Sequence, residues 1–218
     1  MLTPVNSAFA PSSKWFPLGS DGVFQLAPID YVDTYKAMEA LVKKGKVKAI
    51  GVSNFNIRRL EDLLARSTIV PACNQVEAHP YLTQPELLEF CNKHSIILEA
   101  YSPLGNNQTG EPRTVDDPLV HEVAKDLNMD PGVVLGSWGV QRGHVVLPKS
   151  VTPSRIASNL HVKELPAEAK SKLDSLSRHK RFNFPARWGY DIFDEAGEEA
   201  VKKAATDSAE ENKTKFTV

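Results

Sequence analysis

Residues 146–155 combine a short apolar run, typical of a buried strand, with groups that bind anions. The hydroxyls and charges that follow the run are carried by Lys149, Ser150, Thr152 and Arg155. Thr152 can act as the N-cap of a helix whose first residue is Pro153, a position where proline needs no hydrogen-bond partner. A helix N-terminus offers free N–H groups and partial positive charge. With a lysine and an arginine, these groups predict a phosphate monoester site; the alternative is a capped surface helix with scattered basic residues.

Three other apolar runs also end in polar or aromatic side chains. The first ends at Ser53 and Asn54, the second contains Gln75, and the third ends at Tyr101 and Ser102. Parallel α/β folds bind ligands at the carboxyl ends of their strands. Amides and hydroxyls can hold a carboxamide, and an aromatic ring can stack on a flat heterocycle. With the phosphate site, the pattern predicts a phosphorylated dinucleotide; the alternative is that these residues only end strands and begin turns.

The elements that must position these residues alternate along the chain. Strands are predicted near residues 48–52, 72–76, 95–100 and 144–148. Helices are predicted at residues 30–44, after the cap Asn56, from a Thr83–Glu86 capping box, and at 117–127, 131–141 and 165–178. Strands separated by helices indicate parallel βαβ units.

The two ends of the chain differ from this middle part. Prolines and glycines in residues 1–29 predict a long irregular segment. Residues 194–218 are charged and low in large apolar groups, which predicts a frayed, flexible tail. The folded part is therefore expected to span residues 30–193.

Composition excludes several classes of function. The chain has 218 residues, 41% of them hydrophobic, and a formal net charge of −1, which does not suit a nucleic-acid binder. Its two cysteines and six histidines have no spacing typical of a disulfide framework or a metal site. No apolar run approaches the roughly 18 residues of a membrane span, so a soluble, cytoplasmic protein is expected.

The segments at the predicted strand ends resemble motifs of the aldo-keto reductases, which are NADP-dependent (β/α)8 barrels. The matching segments occur in family order at residues 51–55, 74–77, 79–81, 100–105 and 147–150. The resemblance covers roughly residues 30–193. It implies an oxidoreductase that reduces an aldehyde or ketone to an alcohol with NADPH.

The resemblance also implies roles for individual residues. The nicotinamide carboxamide would be bound by Ser53, Asn54 and Gln75, and the nicotinamide ring would stack on Tyr101. The pyrophosphate would lie along Ser102 and Leu104. The 2′-phosphate and adenine would be held by Lys149, Ser150, Thr152, Arg155 and Asn159. Many members carry a glutamate near the adenine at the position of Ser158, and residues 182–188 resemble the segment that borders the substrate pocket.

The chain departs from the family in its catalytic groups. Members use an Asp, Tyr, Lys and His from their first four strands, and the resemblance here begins at or just after the fourth strand. Residues 2–5 stand about where the family has a His-Trp-Pro segment. We therefore expect no catalytic residue of this set, and an α/β fold of TIM type truncated to about four βα units, a partial barrel.

Such a partial barrel leaves two alternatives to an enzyme. It could be a non-catalytic protein that binds a nucleotide or a partner chain, or it could be an inactive fragment. Its open sheet edges would invite pairing with another copy, because unpaired strands are templates for association. The expected ligands are the cofactor and a small-molecule carbonyl substrate.

Overall fold

The computed structural model describes residues 8–9, 17, 19, 25–106, 110, 112–183, 189 and 191–215. The chain forms two compact units. The first unit comprises residues 1–71 and 184–218, and the second comprises residues 72–183.

Short strands and three helices are found among the described residues of the first unit. Its elements are β1 (Ala8–Phe9), β2 (Leu26–Ala27), α1 (Tyr31–Lys43), β3 (Val52–Ser53), α2 (Ile57–Arg66) and α8 (Glu198–Lys215). Strands β1 and β2 pair antiparallel. Most of the segment predicted to be irregular, residues 1–29, lies outside the described residues.

Side-chain caps set where α1 and α2 begin. The Asp30 carboxylate accepts a hydrogen bond from the Val32 amide at 2.9 Å. The predicted cap of α2 is confirmed, because Asn56 Oδ1 accepts from the Arg59 amide at 3.0 Å. Each cap satisfies an N–H group that has no partner inside its helix.

A buried arginine fixes the chain before α8. The side chain of Arg59 is 2% exposed, and its guanidinium donates to the backbone carbonyls of Ile192 and Asp191. The Asp191 carboxylate accepts from the amides of Ala196 at 2.8 Å and Gly197 at 2.7 Å. Burial alone would raise the pKa of Asp191, but these backbone hydrogen bonds outweigh it and lower the pKa.

Helix α8 lies where the sequence predicted a frayed tail. Its buried residues Val201, Ala205 and Ala209 recur every four positions and form one stripe. This stripe consists of small side chains. A prediction based on large apolar groups therefore did not detect it.

The second unit is an α/β arrangement with parallel strands, as predicted. Its elements are β4 (Cys73–Glu77), α3 (Pro85–Lys93), β5 (Ile97–Tyr101), a 3₁₀ turn (Thr114–Asp116), α4 (Pro118–Asp126), α5 (Pro131–Gln141), β6 (Val145–Val146), α6 (Pro153–Ser158) and α7 (Ala167–Asp174). Strand β5 pairs in parallel with β4 on one side and with β6 on the other. In the register, Cys73 is opposite Ile97 and Glu77 is opposite Tyr101.

The predicted capping box at Thr83–Glu86 is wrong. Helix α3 begins at Pro85, and its N-cap residue Gln84 has a φ of 45° and makes no side-chain cap bond. Instead, Gln84 Nε2 donates to the Glu77 carbonyl at 2.6 Å, and Thr83 Oγ1 lies 3.1 Å from Ser177 Oγ. Proline at the first helical position sets the start of α3 without a capping side chain.

The core of the second unit lies among α4, α5 and α7. Its large side chains include Trp138 and Leu173, which are almost completely buried. Gly139 lets α5 approach β6 closely, because a Cβ atom at this position would lie 2.8 Å from Val146 Cγ2. Close packing of this kind makes the strand end after β6 a rigid platform.

His144 is buried without a hydrogen-bond partner. His144 is 4% exposed, and neither ring nitrogen has a hydrogen-bond partner in the part of the chain that the structure describes. Its ring meets the Trp138 ring edge-on, with centroids 6.1 Å apart. Burial, assisted by the positive charge of Arg142, lowers the pKa of His144 to about 4.

This burial predicts a loss of stability at mildly acidic pH. The unfolded chain takes up a proton at His144 near pH 6.5 and the folded chain only near pH 4, so the free energy of unfolding falls as the pH drops through this range. The expected contribution is about 2 kcal/mol at pH 5. Urea unfolding at pH 7 and pH 5 would measure it, and His144→Leu should remove this part of the decline. If the free energy of unfolding of His144→Leu falls between pH 7 and pH 5 as much as that of the wild type, the assignment is contradicted.

Candidate functional site

A pocket of about 180 Å³ in the second unit is lined by three segments. The loop after β5 and the 3₁₀ turn contribute Leu104, Arg113, Val115 and Asp116. Helix α4 and the start of α5 contribute His121, Asp130, Pro131 and Gly132. The segment after β6 contributes Lys149, Ser150, Arg155 and Asn159.

The structure brings together five of the eleven predicted cofactor residues around this pocket. They are Leu104, Lys149, Ser150, Arg155 and Asn159. Residues from the end of β5 and from the segment after β6 meet here because β5 and β6 are adjacent parallel strands. This placement agrees with the expected location of ligands at the carboxyl ends of such strands.

Lys149 and Arg155 are the cations of the pocket that lack a counter-ion among the described residues. Neither forms an ion pair with any residue that the structure describes, whereas the Arg113 guanidinium donates twice to the Asp116 carboxylate at 2.8 Å. This pairing, more than any other effect, raises the pKa of Arg113. Two uncompensated cations beside the Ser150 hydroxyl make this end of the pocket attractive to an anion.

The predicted helix N-terminus contributes less than the sequence suggested. Thr152 occupies the N-cap position of α6, but its side chain makes no cap hydrogen bond, and α6 has six residues. The Thr152 amide instead donates to Ser150 Oγ at 3.1 Å. The anion-binding character therefore rests on side chains, and the role of Thr152 stays a prediction.

The remaining predicted residues of the second unit lie on β4, at the end of β5 or directly after it. Gln75 is in β4, and its Nε2 donates to Glu99 Oε1 at 3.0 Å. Tyr101 is the last residue of β5. Ser102 follows with a φ of 48°, and its Oγ accepts from Asn183 Nδ2 at 3.2 Å.

The first unit contains the other two predicted residues. Ser53 is buried at the end of β3, and Asn54 follows with a positive φ of 61°. The predicted substrate border at residues 182–188 is described only at Phe182 and Asn183; the rest of it, and residues 2–5, lie outside the described residues.

A buried carboxylate anchors Phe182 and Asn183. Glu77 Oε1 accepts from the Phe182 amide at 2.8 Å and lies 2.9 Å from His79 Nε2, and Oε2 accepts from the Asn183 amide at 2.9 Å. Burial alone would raise the pKa of Glu77, but the hydrogen bonds from His79 and the two amides outweigh it and lower the pKa. Asn183 then links Ser102 to Asn106, whose Nδ2 donates to Asn183 Oδ1 at 2.7 Å.

Sequence reasoning missed one wall of the pocket and the Asn183 network. Gly105 is the residue in the sequence that could have indicated this wall. Its φ is 72°, and a Cβ atom at this position would lie 2.5 Å from the Thr114 amide nitrogen of the 3₁₀ turn. Because Gly105 packs this closely against Thr114, the neighbouring residues Arg113 and Asp116 lie at the pocket. The Asn183 contacts join residues about 80 positions apart, and no local pattern indicates them.

The described residues contain neither a metal-binding cluster nor a membrane-spanning helix. No group of three or more His, Cys, Asp or Glu side chains among them is arranged to hold a metal ion. None of the helices described is both long enough and apolar enough to cross a membrane.

Comparison with known proteins gives consistent matches. The sequence model of the Aldo/keto reductase family matches residues 12–178. The chain is 42% identical to Aldo-keto reductase family 1 member A1 of Gallus gallus over 185 residues, covering 82% of this chain and 57% of that protein. The Sus scrofa protein of the same name is 41% identical over 186 residues, with the same coverage.

A yeast protein is similar over a shorter stretch. Glycerol 2-dehydrogenase (NADP(+)) of Saccharomyces cerevisiae is 47% identical over 153 residues, covering 69% of this chain and 48% of that protein. The chain thus spans about half the length of the curated relatives it matches.

Loss of the Glu77 charge should destabilise the fold. In Glu77→Gln, an NH₂ group replaces one of the two carboxylate oxygens. This group would face the backbone N–H of Phe182 or of Asn183, which would then lack an acceptor. We expect a loss of about 2 kcal/mol in the free energy of unfolding, measured by urea denaturation at pH 7. The matched control is Glu89→Gln on the exposed side of α3. Equal stabilities for the two variants would contradict the anchoring role.

Proposed function

The chain belongs to the aldo/keto reductase family, and from this premise we propose that it forms the cofactor-binding part of an NADPH-dependent carbonyl reductase. The observation that carries the proposal is the pair of uncompensated cations, Lys149 and Arg155, in a pocket beside the ends of β5 and β6. The yeast relative, a glycerol 2-dehydrogenase named for NADP(+), supports the choice of cofactor. The proposed reaction reduces a small aldehyde or ketone to an alcohol.

The phosphate groups of the cofactor account for the chemistry of the pocket. In the proposal, Lys149 and Arg155 bind the 2′-phosphate as cations, and Ser150 adds a hydroxyl donor. The Asn159 amide is assigned to the adenine. Ser158 does not line the pocket, and its Oγ donates to the Arg155 carbonyl at 3.2 Å, which fits the absence of a glutamate contact at this position.

The family resemblance assigns the rest of the cofactor to the strand ends. Ser102 and Leu104 are proposed for the pyrophosphate, Gln75 for the carboxamide, and Tyr101 for stacking on the nicotinamide ring. The assignment of Ser53 and Asn54 of the first unit to the carboxamide stays a prediction. When bound, NADPH supplies the hydride.

Reduction of a carbonyl also needs a proton donor, and we assign none to this chain. Tyr81 donates to Asp117, and Tyr31 donates to Asp62 at 2.6 Å. Burial and the carboxylate raise the pKa of Tyr81 to about 12, and the same causes raise the pKa of Tyr31. A proton donor works best with a pKa near the working pH and contributes roughly 10²–10⁴-fold in rate, so these tyrosines are poor candidates.

A non-catalytic role is the second candidate. The hydrogen bonds that hold the Tyr31 and Tyr81 hydroxyls on Asp62 and Asp117 support a protein that binds the nucleotide without turnover. The two candidates share the cofactor site and differ in whether the bound NADPH is oxidised by a carbonyl compound. The two candidates are distinguished by incubating the chain and NADPH with a panel of aldehydes and following the absorbance of NADPH, which is lost when the cofactor is oxidised.

We further propose that the strands belong to an incomplete (β/α) barrel of about four βα units within residues 30–193. Leu98 and Ala100 of β5 are buried, whereas Ile97 on the opposite face is 52% exposed. Val145 of β6 is 45% exposed and lies opposite Glu99 on that same face. In a closed barrel, such a face would be the filled interior.

The 2′-phosphate assignment predicts a change in cofactor preference. Lys149→Ala with Arg155→Ala should weaken NADPH binding by about 100-fold or more, because two charge-assisted contacts are lost, and should leave NADH binding almost unchanged. Fluorescence titration with both cofactors measures the ratio. Lys125→Ala on the exposed side of α4 is the matched charge control. Equal losses for NADPH and NADH in the double variant would contradict the assignment.

The open sheet face predicts self-association. Sedimentation velocity should show a dimer that increases with protein concentration, because exposed apolar strand residues favour pairing with a second copy. Ile97→Ser should weaken the dimer, whereas Val140→Ser, which removes an equally exposed apolar group from α5, should not. A chain that is monomeric at all concentrations would contradict this interpretation.

A further inference from the structure

Residues 191–197, which we call the strap, are anchored on both sides. On one side, Ile192 is 2% exposed, and its carbonyl accepts a hydrogen bond from the buried Arg59 guanidinium. On the other side, the strap leads into helix α8, whose buried stripe begins at Val201. Residues 194–200 between these anchors are exposed. The middle of the strap can therefore move while both anchors stay in place.

One carboxylate fastens the exposed middle of the strap to α2. Asp194 Oδ2 accepts from Asn56 Nδ2 at 2.6 Å and from Arg58 Nε and Nη2 at 3.0 Å and 2.8 Å. It also lies 3.4 Å from Nη1 of Arg59. All these donors belong to the first turn of α2 or to its N-cap. Because the hydrogen bonds from arginine are charge-assisted, they are stronger than bonds between neutral groups.

Asn56 links this fastening to the start of α2 without depending on it. Its Oδ1 caps the helix by accepting from the Arg59 amide, so its NH₂ group is directed to the strap. There Nδ2 donates to the Phe193 carbonyl at 3.2 Å as well as to Asp194. Since the cap and the strap use different atoms of the amide, release of Asp194 leaves the helix cap intact.

Exposure makes the fastening sensitive to salt. The side chains of Arg58 and Asp194 are 66% and 38% exposed, whereas the side chain of Arg59 is 2% exposed. Dissolved ions screen an exposed ion pair strongly and a buried one much less. The contact between Arg58 and Asp194 therefore weakens as the ionic strength rises, while the hydrogen bond from Arg59 to Ile192 persists.

The backbone of Asp194 favours release. Its φ of 57° lies in the left-handed region, which residues other than glycine rarely adopt. A strained conformation of this kind persists where surrounding contacts impose it. The contacts that hold Asp194 are the hydrogen bonds of its own carboxylate. Their loss would let residue 194 return to an ordinary conformation.

We propose that the strap is a salt-sensitive latch, in which the Asp194 carboxylate is the group that opens and closes. In the closed state it is bound to α2, as in this structure. In the open state, residues 194–197 lift away from α2 between the anchors at Ile192 and Val201.

The lifted segment moves as one loop. The Asp191 carboxylate accepts from the amides of Ala196 and Gly197, and these bonds lie within the strap itself. Opening changes the surroundings of the chain that follows β3, because the strap contacts Asn56, three residues after the end of that strand. The inference does not depend on the proposed function.

A nitroxide label on the strap measures its opening. The label is attached at Ala196→Cys in the full chain, with Cys73→Ser to remove the partly exposed thiol, whereas Cys91 is completely buried. Electron paramagnetic resonance separates immobile from mobile label. Raising the salt concentration from about 0.01 M to about 1 M shortens the Debye length roughly tenfold. The ratio of mobile to immobile label should rise about twofold to fivefold, the size of an exposed ion pair.

Two substitutions test whether Asp194 is the group that closes the latch. Asp194→Asn removes the charge and keeps a side chain that tolerates a positive φ, so the label should be mobile at low salt and respond little to more salt. Arg58→Gln should have the same effect to a smaller degree. Lys203→Gln is the matched control, because it removes another exposed ion pair, at 2.7 Å from Asp207 within α8, and should leave the salt response unchanged.

A second label, at Lys125→Cys on the exposed side of α4, reports on the fold as a whole. Its mobility should not change with salt or in the variants. If Asp194→Asn mobilises this label as well, the variant has not folded, and Arg58→Gln provides the comparison.

Three results would overturn the inference. They are a label at residue 196 that is already mobile at low salt in the chain with the native latch, a mobility that does not depend on salt there, and the same salt response after Asp194→Asn or Arg58→Gln. A salt response that is lost in Asp194→Asn and kept in Lys203→Gln supports the latch. No cofactor is used, so each of these results leaves the proposed function as it stands.

Discussion

The parallel ladder between β4 and β5 sets the positions of the polar side chains on these two strands. Its register places Gln75 beside Glu99 and Glu77 beside Tyr101. Because side chains alternate between the two faces of a strand, a shift by one residue would exchange the core face and the open face. The burial of Leu98 and Ala100 prevents such a shift. Apolar burial on one face therefore fixes the polar chemistry on the other.

Charge compensation then separates structural groups from those available to a ligand. The Glu77 carboxylate is satisfied by His79 and by two backbone amides, and Asp116 is satisfied by Arg113. Lys149 and Arg155 have no such counter-ion among the described residues. Since an uncompensated cation gains most from an arriving anion, the proposed phosphate site is at these two residues.

Local signals made part of this structure predictable. Helix α5 was expected at residues 131–141 and occupies Pro131–Gln141, because Asp130 caps its start and the turn at Gly143 follows its end. Strand β6 was expected at residues 144–148 and is Val145–Val146 alone, since the length of a strand depends on its partners. Five of the residues predicted to bind the cofactor line one pocket, because the carboxyl ends of adjacent parallel strands lie at the same edge of a sheet.

The unpredicted features depend on contacts between distant residues. Asn183 meets Ser102, and Arg59 meets Ile192, across long stretches of chain. The stripe of small residues in α8 lacks the large apolar groups that indicate a buried helix. The contact between Gln75 and Glu99 follows from the register of β4 and β5, which no local pattern indicates.

We propose that this chain by itself forms a binding site for a nucleotide with a 2′-phosphate. The first experiment is a titration of the unmodified chain with NADPH that follows the fluorescence of the cofactor and the melting temperature of the protein together. Saturable binding is expected, on the order of micromolar, with a rise in melting temperature because the ligand binds only the folded state. A cooperative melt that NADPH does not shift, with no change in fluorescence, would contradict it.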